Sequence, residues 1–391
     1  MTTLCFDVET NTVNKGNPFT ASGKLVSYSA KLNNEPPKFS YFTSIDFLTD
    51  LKQKMQQAKW VVGFNLKFDL HWAARYGITV PDGVRIWDCQ IAEFIISGQT
   101  QAYPSLDDCL AKYNLGKKDD KIKEYWDAGI DTEFIPPDEL QFYNDLDVEL
   151  TYKLYLKQQE IMSAKQKKLC LLMGLDLLVL QEMESNGVLL DIDLCKQKAN
   201  ETQTKLKEVT DKLLRYSPTP DINLDSGQQL SCLLYGGKFE IDVVTSEQAI
   251  YKSGAKKGQE YTKNSHQTVV YECPKLFEPL PNTETKLKKV MEDGEEITIY
   301  ETNEDVLKQL KSTTPEAKML IANLLERAEL AKLNDTYYGK LPQLLERMEW
   351  GTCIHGQYNQ VVVATGRLSS SNPNMQNFSG EVDALLVSRY D

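Results

Sequence analysis

The sequence has few cysteines and histidines and no long hydrophobic segment. No apolar run is long enough to cross a bilayer, and the first residues do not form a signal peptide. The eight cysteines are scattered without a Cys-x-x-Cys pair, which argues against a disulfide framework and against structural zinc. With three histidines in 391 residues, imidazole is not expected to carry the chemistry. We therefore expect a reduced, cytoplasmic setting without a membrane.

An excess of basic residues is also missing. The net charge of −12 counts against broad, non-specific binding to nucleic acid, although a local basic track is compatible with it. The hydrophobic share of 41% and the charged share of 26% are typical of a globular protein. The length predicts two or three domains.

Two carboxylates stand at the end of the first predicted strand, Leu4–Glu9. Asp7 and Glu9 are two residues apart, so an extended chain points both to the same face. Neighbouring carboxylates repel each other, and a divalent cation held by oxygen ligands relieves that repulsion. An Asp-x-Glu pair is common by chance, so it acquires meaning only from the rest of the chain.

Two further stretches each offer one more acid. Asn65 and Asp69, in GFNLKFDLHW, follow the predicted strand Trp60–Phe64, so both can point into the crevice at the edge of the sheet. Tyr143 and Asp147 lie one turn apart on a long predicted helix and share one face. Taken singly, the first pair is more simply a helix cap and Asp147 a solvated acid beside a half-buried tyrosine.

Together these stretches suit a site for two divalent cations. Four carboxylates can hold two ions about 4 Å apart, the arrangement that stabilises the attacking and leaving oxygens in phosphoryl transfer. Hard oxygen ligands favour Mg²⁺ or Mn²⁺ over zinc. The Tyr143 hydroxyl can orient the attacking water by hydrogen bonding.

Other predictions concern single elements. Ser44 is expected to cap a helix, Asp88 is expected to be a structural helix cap, and Ile192–Leu214 is expected to be an amphipathic helix. The run KKDDKIK at 117–123 mixes both signs and is interpreted as a solvated surface. Residues 217–240 are expected to be loop-like, and about 239–302 to be an irregular or small β insertion.

The three acidic stretches resemble the motifs of a known enzyme family. FDVET, NLKFD and YNDLD are similar to the motifs of the proofreading 3′-to-5′ exonucleases with four acids and a tyrosine, the DEDDy type, over residues 1–157. The resemblance implies an α/β ribonuclease-H-like domain with a mixed sheet flanked by helices. It also implies roles for six residues: Asp7, Glu9 and Asp147 hold the first metal ion, Asp7 bridges to the second, Asp69 supports the second, Tyr143 positions the water, and Asn65 contacts the DNA strand.

The remainder resembles a family A DNA polymerase of bacteriophage type. The similar segments are MESNGVLLD (183–191), ERAELAKLNDTYYGKL (326–341) and IHGQYNQVVVATGRLSSSNPNMQN (354–377). The resemblance implies a mainly helical thumb region over 158–345, with the insertion inside it, and the first part of an α+β palm over 346–391. It also implies contacts to primer–template DNA from four residues: Arg367, Asn374, Gln376 and Asn377. An arginine suits this role because its forked donors fit phosphates and minor-groove acceptors.

One part of the family pattern is not in this sequence. The polymerase carboxylates and the nucleotide-binding fingers helix, which follow LLVSRYD in the family, are not found. We therefore expect nucleotidyl transfer to need a second chain that carries the fingers and the catalytic palm. A natural split subunit, acting in the cytoplasm of an infected bacterial cell, is preferred over a truncated chain.

The insertion contains a lysine cluster with two interpretations. Lys252, Lys256, Lys257 and Lys263 can contact the DNA backbone or an accessory processivity factor from the tip of the thumb. They can equally form a solvated loop, because lysine-rich surfaces are common. Both interpretations stay open.

Two other functions compete with a proofreading exonuclease. The chain can be a non-catalytic subunit that clamps DNA, or an exoribonuclease similar to RNase D. Intact acids at all four positions favour catalysis over a scaffold, because clustered charge without a counter-ion is costly. The RNase D alternative does not explain TGRLSSSNPNMQN.

Overall fold

The computed structural model describes residues 2–44, 46–250, 259–290, 294, 296–311, 314–378 and 380–388. The chain divides into two compact units. The first consists of Met1–Leu194 and Pro342–Asp391, and the second of Cys195–Leu341.

A five-stranded mixed sheet forms the centre of the first unit. Its strands are β1 (Thr3–Thr10), β2 (Leu25–Leu32), β3 (Lys38–Tyr41), β4 (Trp60–Gly63) and β5 (Arg85–Asp88), in the order β3-β2-β1-β4-β5. β1, β2 and β3 are antiparallel neighbours, whereas β1, β4 and β5 run parallel. β1 is therefore the central strand, and its acids lie in the middle of the unit.

Seven helices accompany this sheet in the described residues. β1 is contacted by the second and sixth helices, while the seventh contacts β5 and the second and third helices. The buried core includes Trp72, Trp87 and Phe94. The helices are α1 (Thr49–Gln57), α2 (Leu66–Arg75), α3 (Cys89–Ile96), α4 (Leu106–Tyr113), α5 (Lys121–Asp127), α6 (Pro137–Ile161) and α7 (Ala164–Asn186), and the short strand β6 (Val188–Leu190) follows them.

The second unit is mainly helical and carries β hairpins. Its core includes Leu213, Leu233 and Phe239. β7 pairs with β8 and β9 pairs with β10, both antiparallel. The elements are α8 (Ile192–Leu214), α9 (Gly227–Tyr235), β7 (Gly237–Ile250), β8 (Glu260–Cys273), β9 (Glu284–Val290), β10 (Glu296–Tyr300), α10 (Glu304–Gln309) and α11 (Pro315–Leu333).

The chain then returns to the first unit through short elements. α12 (Lys340–Met348) precedes β11 (Cys353–Ile354), β12 (Gln357–Asn359), β13 (Ser369–Ser371) and β14 (Leu386–Val387). β6 lies between β11 and β14 in an antiparallel sheet, and β12 pairs with β13.

The architecture confirms the predicted fold class. A mixed sheet flanked by helices is followed by a mainly helical region and then by short strands, as expected for a ribonuclease-H-like exonuclease domain before a thumb and a palm. α7 contacts β5 and lies with the first compact unit, while the domain boundaries at 157 and 345 stay predictions. None of the helices described is both long and apolar enough to span a membrane.

Three lysines of the predicted basic cluster, Lys252, Lys256 and Lys257, lie outside the described residues. Lys263 lies on β8. The insertion itself is built from antiparallel hairpins in its described part, not from irregular chain.

Candidate active site

Asp7 and Glu9 lie on the same face of the central strand. In the register of β1 with β2 they are opposite Ser29 and Ser27. Burial raises the pKa of Asp7 to about 7, and the charge of Asp147 adds to this rise. Burial also raises the pKa of Glu9 well above its ordinary value, with the charge of Asp7 as the next cause. These acids therefore resist ionising together unless a cation neutralises them.

Asp69 is fastened to the same strand from α2. Its Oδ1 accepts a hydrogen bond from the Val8 backbone N–H at 3.0 Å. Asn65 precedes α2 with a left-handed backbone, φ 56°. Burial, followed by the charge of Asp7, raises the pKa of Asp69 well above its ordinary value. Asp69 thus lies close enough to Asp7 for their charges to interact.

The turn that carries Asn65 is held by Asp88, at the end of β5. The Asp88 carboxylate accepts from the backbone N–H groups of Leu66 at 2.8 Å and Gln90 at 2.7 Å. Its side chain also accepts from the Ile91 N–H, which makes it the cap of α3. The predicted structural role of Asp88 is confirmed, and it extends to holding the start of α2.

α6 contributes Asn144, which the sequence reasoning missed. Its Nδ2 donates to Asp7 Oδ2 at 3.2 Å, and its Oδ1 accepts from Ser27 Oγ at 2.7 Å. The residue is fully buried. Asn144 lies inside the motif YNDLD, next to Tyr143, so its position could have drawn attention to it. The motif assigns a role only to the tyrosine and the acid, and the asparagine was therefore overlooked. Asn144 fixes the rotation of α6 against β1 and β2.

Tyr143 and Asp147 face the same site from α6. The tyrosine hydroxyl interacts with the Asp147 carboxylate one turn away. Burial raises the pKa of Tyr143, and the charge of Glu9 adds to it, so the phenol is neutral at ordinary pH. Asp147 Oδ1 is buried and has no hydrogen-bond partner among the described residues. A buried carboxylate oxygen without a partner is unfavourable, and a bound cation or water would satisfy it.

Lys118 corrects one sequence interpretation. The run 117–123 is a predicted solvated surface, but the Lys118 side chain is only 22% exposed and its Nζ lies 2.5 Å from Asp147 Oδ2. The ammonium also lies over the Tyr143 ring, 5.2 Å from its centroid. Burial lowers the pKa of Lys118, but the charge of Asp147, the hydrogen bond to it and the charges of Asp7 and Glu9 together raise the pKa overall. A cation of the protein itself therefore already touches the acid cluster.

The donor set suits the divalent cations that the resemblance implies. As the side chains stand, no group of three or more His, Cys, Asp and Glu residues could hold a metal ion in the described part of the chain. The chemistry nevertheless fits, because the cluster offers hard carboxylate oxygens with raised pKa values and one unpartnered buried oxygen. Asp7, Glu9, Asp69 and Asp147 are the residues that would hold such ions.

Asn65 also borders a cavity of about 360 Å³. Aromatic rings and side-chain amides line it, including Phe19, Phe68, Gln357 and Asn359. Rings stack on nucleobases and amides hydrogen-bond to their edges. The cavity therefore has the chemistry of a site for unpaired nucleotides.

The four predicted primer–template residues form a separate group after β12. Arg367 precedes β13 and is exposed. Asn374 accepts from the Gln376 backbone N–H at 3.1 Å, and Gln376 Nε2 donates to the Leu368 carbonyl at 3.3 Å. Asn377 follows directly and is exposed. The acids lie on β1, α2 and α6, so the two groups are on different elements.

A buried ionic network ties α2 to α7. Glu184 Oε1 accepts from Lys67 Nζ at 2.5 Å and from the Tyr358 backbone N–H at 2.6 Å. Glu184 Oε2 lies 2.8 Å from His71 Nε2. Burial favours the neutral acid, but the hydrogen bond to His71 and the charge of Lys67 lower the pKa of Glu184 overall. The partners are far apart in sequence, so no spacing rule could have found them.

Comparison with known proteins finds two family models that match this chain. Residues 2–163 match the family model described as 3′-5′ exonuclease, and residues 255–385 match the model of DNA polymerase family A. By sequence, the first part of the chain is similar to 3′-5′ exonucleases and the later part is similar to family A DNA polymerases.

Individual relatives are bacterial. DNA polymerase I of Synechocystis sp. is 27% identical over 320 residues, covering 80% of this chain and 26% of that protein. The thermostable DNA polymerase I of Thermus aquaticus is 41% identical over 76 residues, covering 19% of this chain and 8% of that protein. The chain thus spans about a quarter of the length of the Synechocystis relative. The phage type and the split organisation stay predictions.

A solved structure shares the fold. The POL domain of Pol1 from M. smegmatis, in complex with DNA primer-template and dNTP, has a TM-score of 0.65 at 18% identity. The match covers 97% of this chain and 53% of that one. At this identity the likeness concerns the fold alone.

Proposed function

We propose that the first unit is a two-metal-ion 3′-5′ exonuclease that removes 3′-terminal nucleotides from DNA. The observation that supports this most is that Asp7, Glu9, Asp69 and Asp147, carried by β1, α2 and α6, are close enough for their charges to raise one another's pKa values. A set of acids with raised pKa values and an unpartnered Asp147 Oδ1 favours a cation-dependent site over a structural one.

In this proposal each side chain has a defined task. Asp7, Glu9 and Asp147 would hold the first ion and Asp69 would support the second. When bound, Mg²⁺ or Mn²⁺ neutralises charge on the scissile phosphate and on the leaving oxygen. The neutral Tyr143 hydroxyl orients the attacking water, because a phenol with a raised pKa keeps its proton to donate. Asn144 keeps Asp7 in place through the 3.2 Å bond to its Oδ2.

The single-stranded 3′ end is proposed to reach the acids past Asn65. The cavity beside Asn65 offers Phe19 and Phe68 for stacking and Gln357 and Asn359 for hydrogen bonds. Primer–template DNA is proposed to be contacted by four residues that follow β12: Arg367, Asn374, Gln376 and Asn377. The match of this stretch to DNA polymerase family A supports that role.

Nucleotidyl transfer is proposed to need a second polypeptide with the fingers and the rest of the palm. An exposed apolar stripe on α7 supports this: Leu172 and Leu175 are each 56% exposed and Val179 is 57% exposed. A surface of this kind is favourable when another protein segment covers it. We also propose that the protein acts in the cytoplasm of an infected bacterial cell and that a processivity factor binds to the insertion.

Replacing Asp147 tests the exonuclease directly. Asp147→Asn should slow the release of 3′ nucleotides on the order of 10²–10³-fold, the size of effect seen when one group that stabilises charge is lost from an active site. The measurement is single-turnover degradation of a 5′-labelled DNA strand with Mg²⁺. Asp145→Asn is the matched control, because Asp145 lies on the same helix and bonds to Ser29 Oγ at 2.5 Å instead.

The same assay separates the competing functions. A non-catalytic clamp predicts no degradation by the unmodified chain, and an RNase D-like enzyme predicts faster degradation of a labelled RNA strand than of DNA. Equal rates for the unmodified protein and Asp147→Asn would mean that the activity does not come from these acids. The match over residues 255–385 favours DNA, since an exoribonuclease alone does not account for it.

A further inference from the structure

Lys118 reaches the acid cluster from an irregular connection between α4 and α5. The connection is anchored on α6 at both ends. Gly116 has φ +128°, and a Cβ there would lie 2.9 Å from Leu150 Cδ2, so a glycine lets the chain run against α6. At the other end, Lys121 Nζ pairs with Glu139 Oε1 of α6 at 2.9 Å. The position of Lys118 is therefore set by its neighbours.

α5 adds a hydrophobic anchor. Ile122 is fully buried and packs in a small cluster with Leu140 and Tyr143 of α6. The two lysines that follow Gly116 differ in exposure and in partner. Lys117 is 81% exposed and pairs with Asp120, whereas Lys118 is 22% exposed and pairs with Asp147. Two adjacent lysines thus have opposite environments, and only one of them enters the cluster.

The ammonium takes a place that an ion on Asp147 would need. It lies 2.5 Å from Asp147 Oδ2, and its charge also acts on Asp7 and Glu9. Asp147 Oδ2 is therefore not available to a divalent ion that requires close oxygen ligands, and an ion on the unpartnered Oδ1 would be repelled by the ammonium on the same carboxylate. Lys118 and a metal ion therefore compete for the same carboxylate.

We propose that Lys118 is a built-in counter-cation of the exonuclease site, which neutralises Asp147 without metal and is displaced when a divalent ion binds there. This inference rests on the proposed function, since it concerns the same acids. It adds a regulatory step: metal loading must release Lys118 from Asp147, and the segment 114–120 then loses one of its contacts with α6. The site therefore needs a higher concentration of divalent ions for binding than the same acids would need without Lys118.

The affinity for Mn²⁺ tests this on the full chain. Lys118→Met should bind Mn²⁺ about tenfold more tightly than the unmodified protein, because a competing positive charge is gone. Bound Mn²⁺ is measured by electron paramagnetic resonance during a titration. Lys117→Met is the matched control, since it removes the same charge one residue away, and its affinity should be unchanged.

A second measurement needs no substitution. In the unmodified protein, Mn²⁺ should increase amide hydrogen exchange in residues 114–120, because Lys118 leaves Asp147. Without metal, in EDTA, Lys118→Met should melt at a lower temperature than Lys117→Met, because its acids have lost their counter-ion.

The outcomes distinguish this inference from the proposed function. Mn²⁺ bound with equal affinity by Lys118→Met and by the unmodified protein would overturn the role of Lys118 and leave the exonuclease proposal standing. Slower exchange of residues 114–120 on adding Mn²⁺ would also overturn it. If the unmodified protein binds no more Mn²⁺ than Asp147→Asn, the proposed metal site itself fails, and this inference fails with it.

Discussion

Asp147 is the residue at which most interactions of the site meet. Lys118 pairs with its Oδ2, Tyr143 interacts with it from one turn away, and its charge raises the pKa of Asp7. Its Oδ1 has no hydrogen-bond partner among the residues the structure describes. The protonation of Asp7 and the pairing of Asp147 are therefore linked.

The raised pKa of Asp7 predicts an unusual dependence of stability on pH. The carboxyl titrates near its ordinary value of 3.8 in the unfolded chain and at about 7 in the folded protein. Between these values the folded state holds a proton that the unfolded state has lost. The contribution of Asp7 to the free energy of unfolding should therefore be greatest below about pH 4. It should fall as the pH rises to about 7, by up to about 1.4 kcal/mol per pH unit.

Urea unfolding in EDTA at several pH values measures this effect. Tryptophan fluorescence reports the first unit, because all five tryptophans belong to it: Trp60, Trp72, Trp87, Trp126 and Trp350. Asp7→Asn should reduce the slope, although Glu9 and Asp69 act in the same direction. An unfolding free energy that rises from pH 4 to 7 and does not respond to Asp7→Asn would contradict the assignment.

At this scale, spacing rules predicted which carboxylates meet. The strand period brings Asp7 and Glu9 to one face, and the helix period brings Tyr143 and Asp147 together. Spacing could not predict Lys118, because a mixed-charge run indicates a solvated surface and only the path of the chain past Gly116 brings the ammonium to Asp147. The roles of the carboxylates and of Tyr143 in catalysis stay predictions.

Among the elements, α2 depends most on distant parts of the chain. Its start is held by Asp88 and its first turns by Glu184 of α7, through Lys67 and His71. Asp69 lies between these two attachments. The placement of one acid of the site therefore relies on β5 and α7 as well as on its own helix.

Removing Glu184 should loosen this attachment. Glu184→Ala leaves Lys67 and His71 without their shared partner, and breaking a buried ion pair costs about 3–5 kcal/mol. The free energy of unfolding of the first unit, followed by tryptophan fluorescence in urea, measures the loss. Glu182→Ala is the matched control, because Glu182 is exposed on the same helix, and it should change stability by less than about 0.5 kcal/mol. Equal values for both variants would show that the network does not hold α2.

The elements were predicted unevenly, for physical reasons. The amphipathic period gave α8 at Ile192–Leu214, the bounds the structure has. The cap prediction at Ser44 was wrong, since α1 starts at Thr49 after Leu48 with a left-handed backbone and no side-chain cap. α9 was missed because its first residues read as a turn, although Ser226 caps it and its apolar residues are buried in the second unit.

At the scale of the whole molecule, each compact unit has its own core. The first is built around the five-stranded sheet, and the second around Leu213, Leu233 and Phe239. The family resemblance predicted an exonuclease fold followed by a helical region, and the structure agrees. The boundary after α7 could not be predicted, because a helix that continues the pattern of α6 gives no sign of which core it joins.

The apolar stripe of α7 predicts an association. The polypeptide encoded by the adjacent gene should co-elute with this chain in size-exclusion chromatography. Replacing both Leu172 and Leu175 by Glu should separate them, since buried charge opposes the contact. Val270→Glu is the control, because Val270 is 51% exposed on β8 of the other unit. Two separate peaks for the unmodified proteins would contradict the split-subunit proposal.

The position of a metal ion tests the central claim most directly. Crystals of the full chain soaked in Mn²⁺ should show anomalous scattering from an ion ligated by both Asp7 and Asp147, with Lys118 moved away from Asp147 Oδ2. An anomalous map without an ion between these two carboxylates, with the ammonium still bound to Asp147, would contradict the proposed exonuclease site.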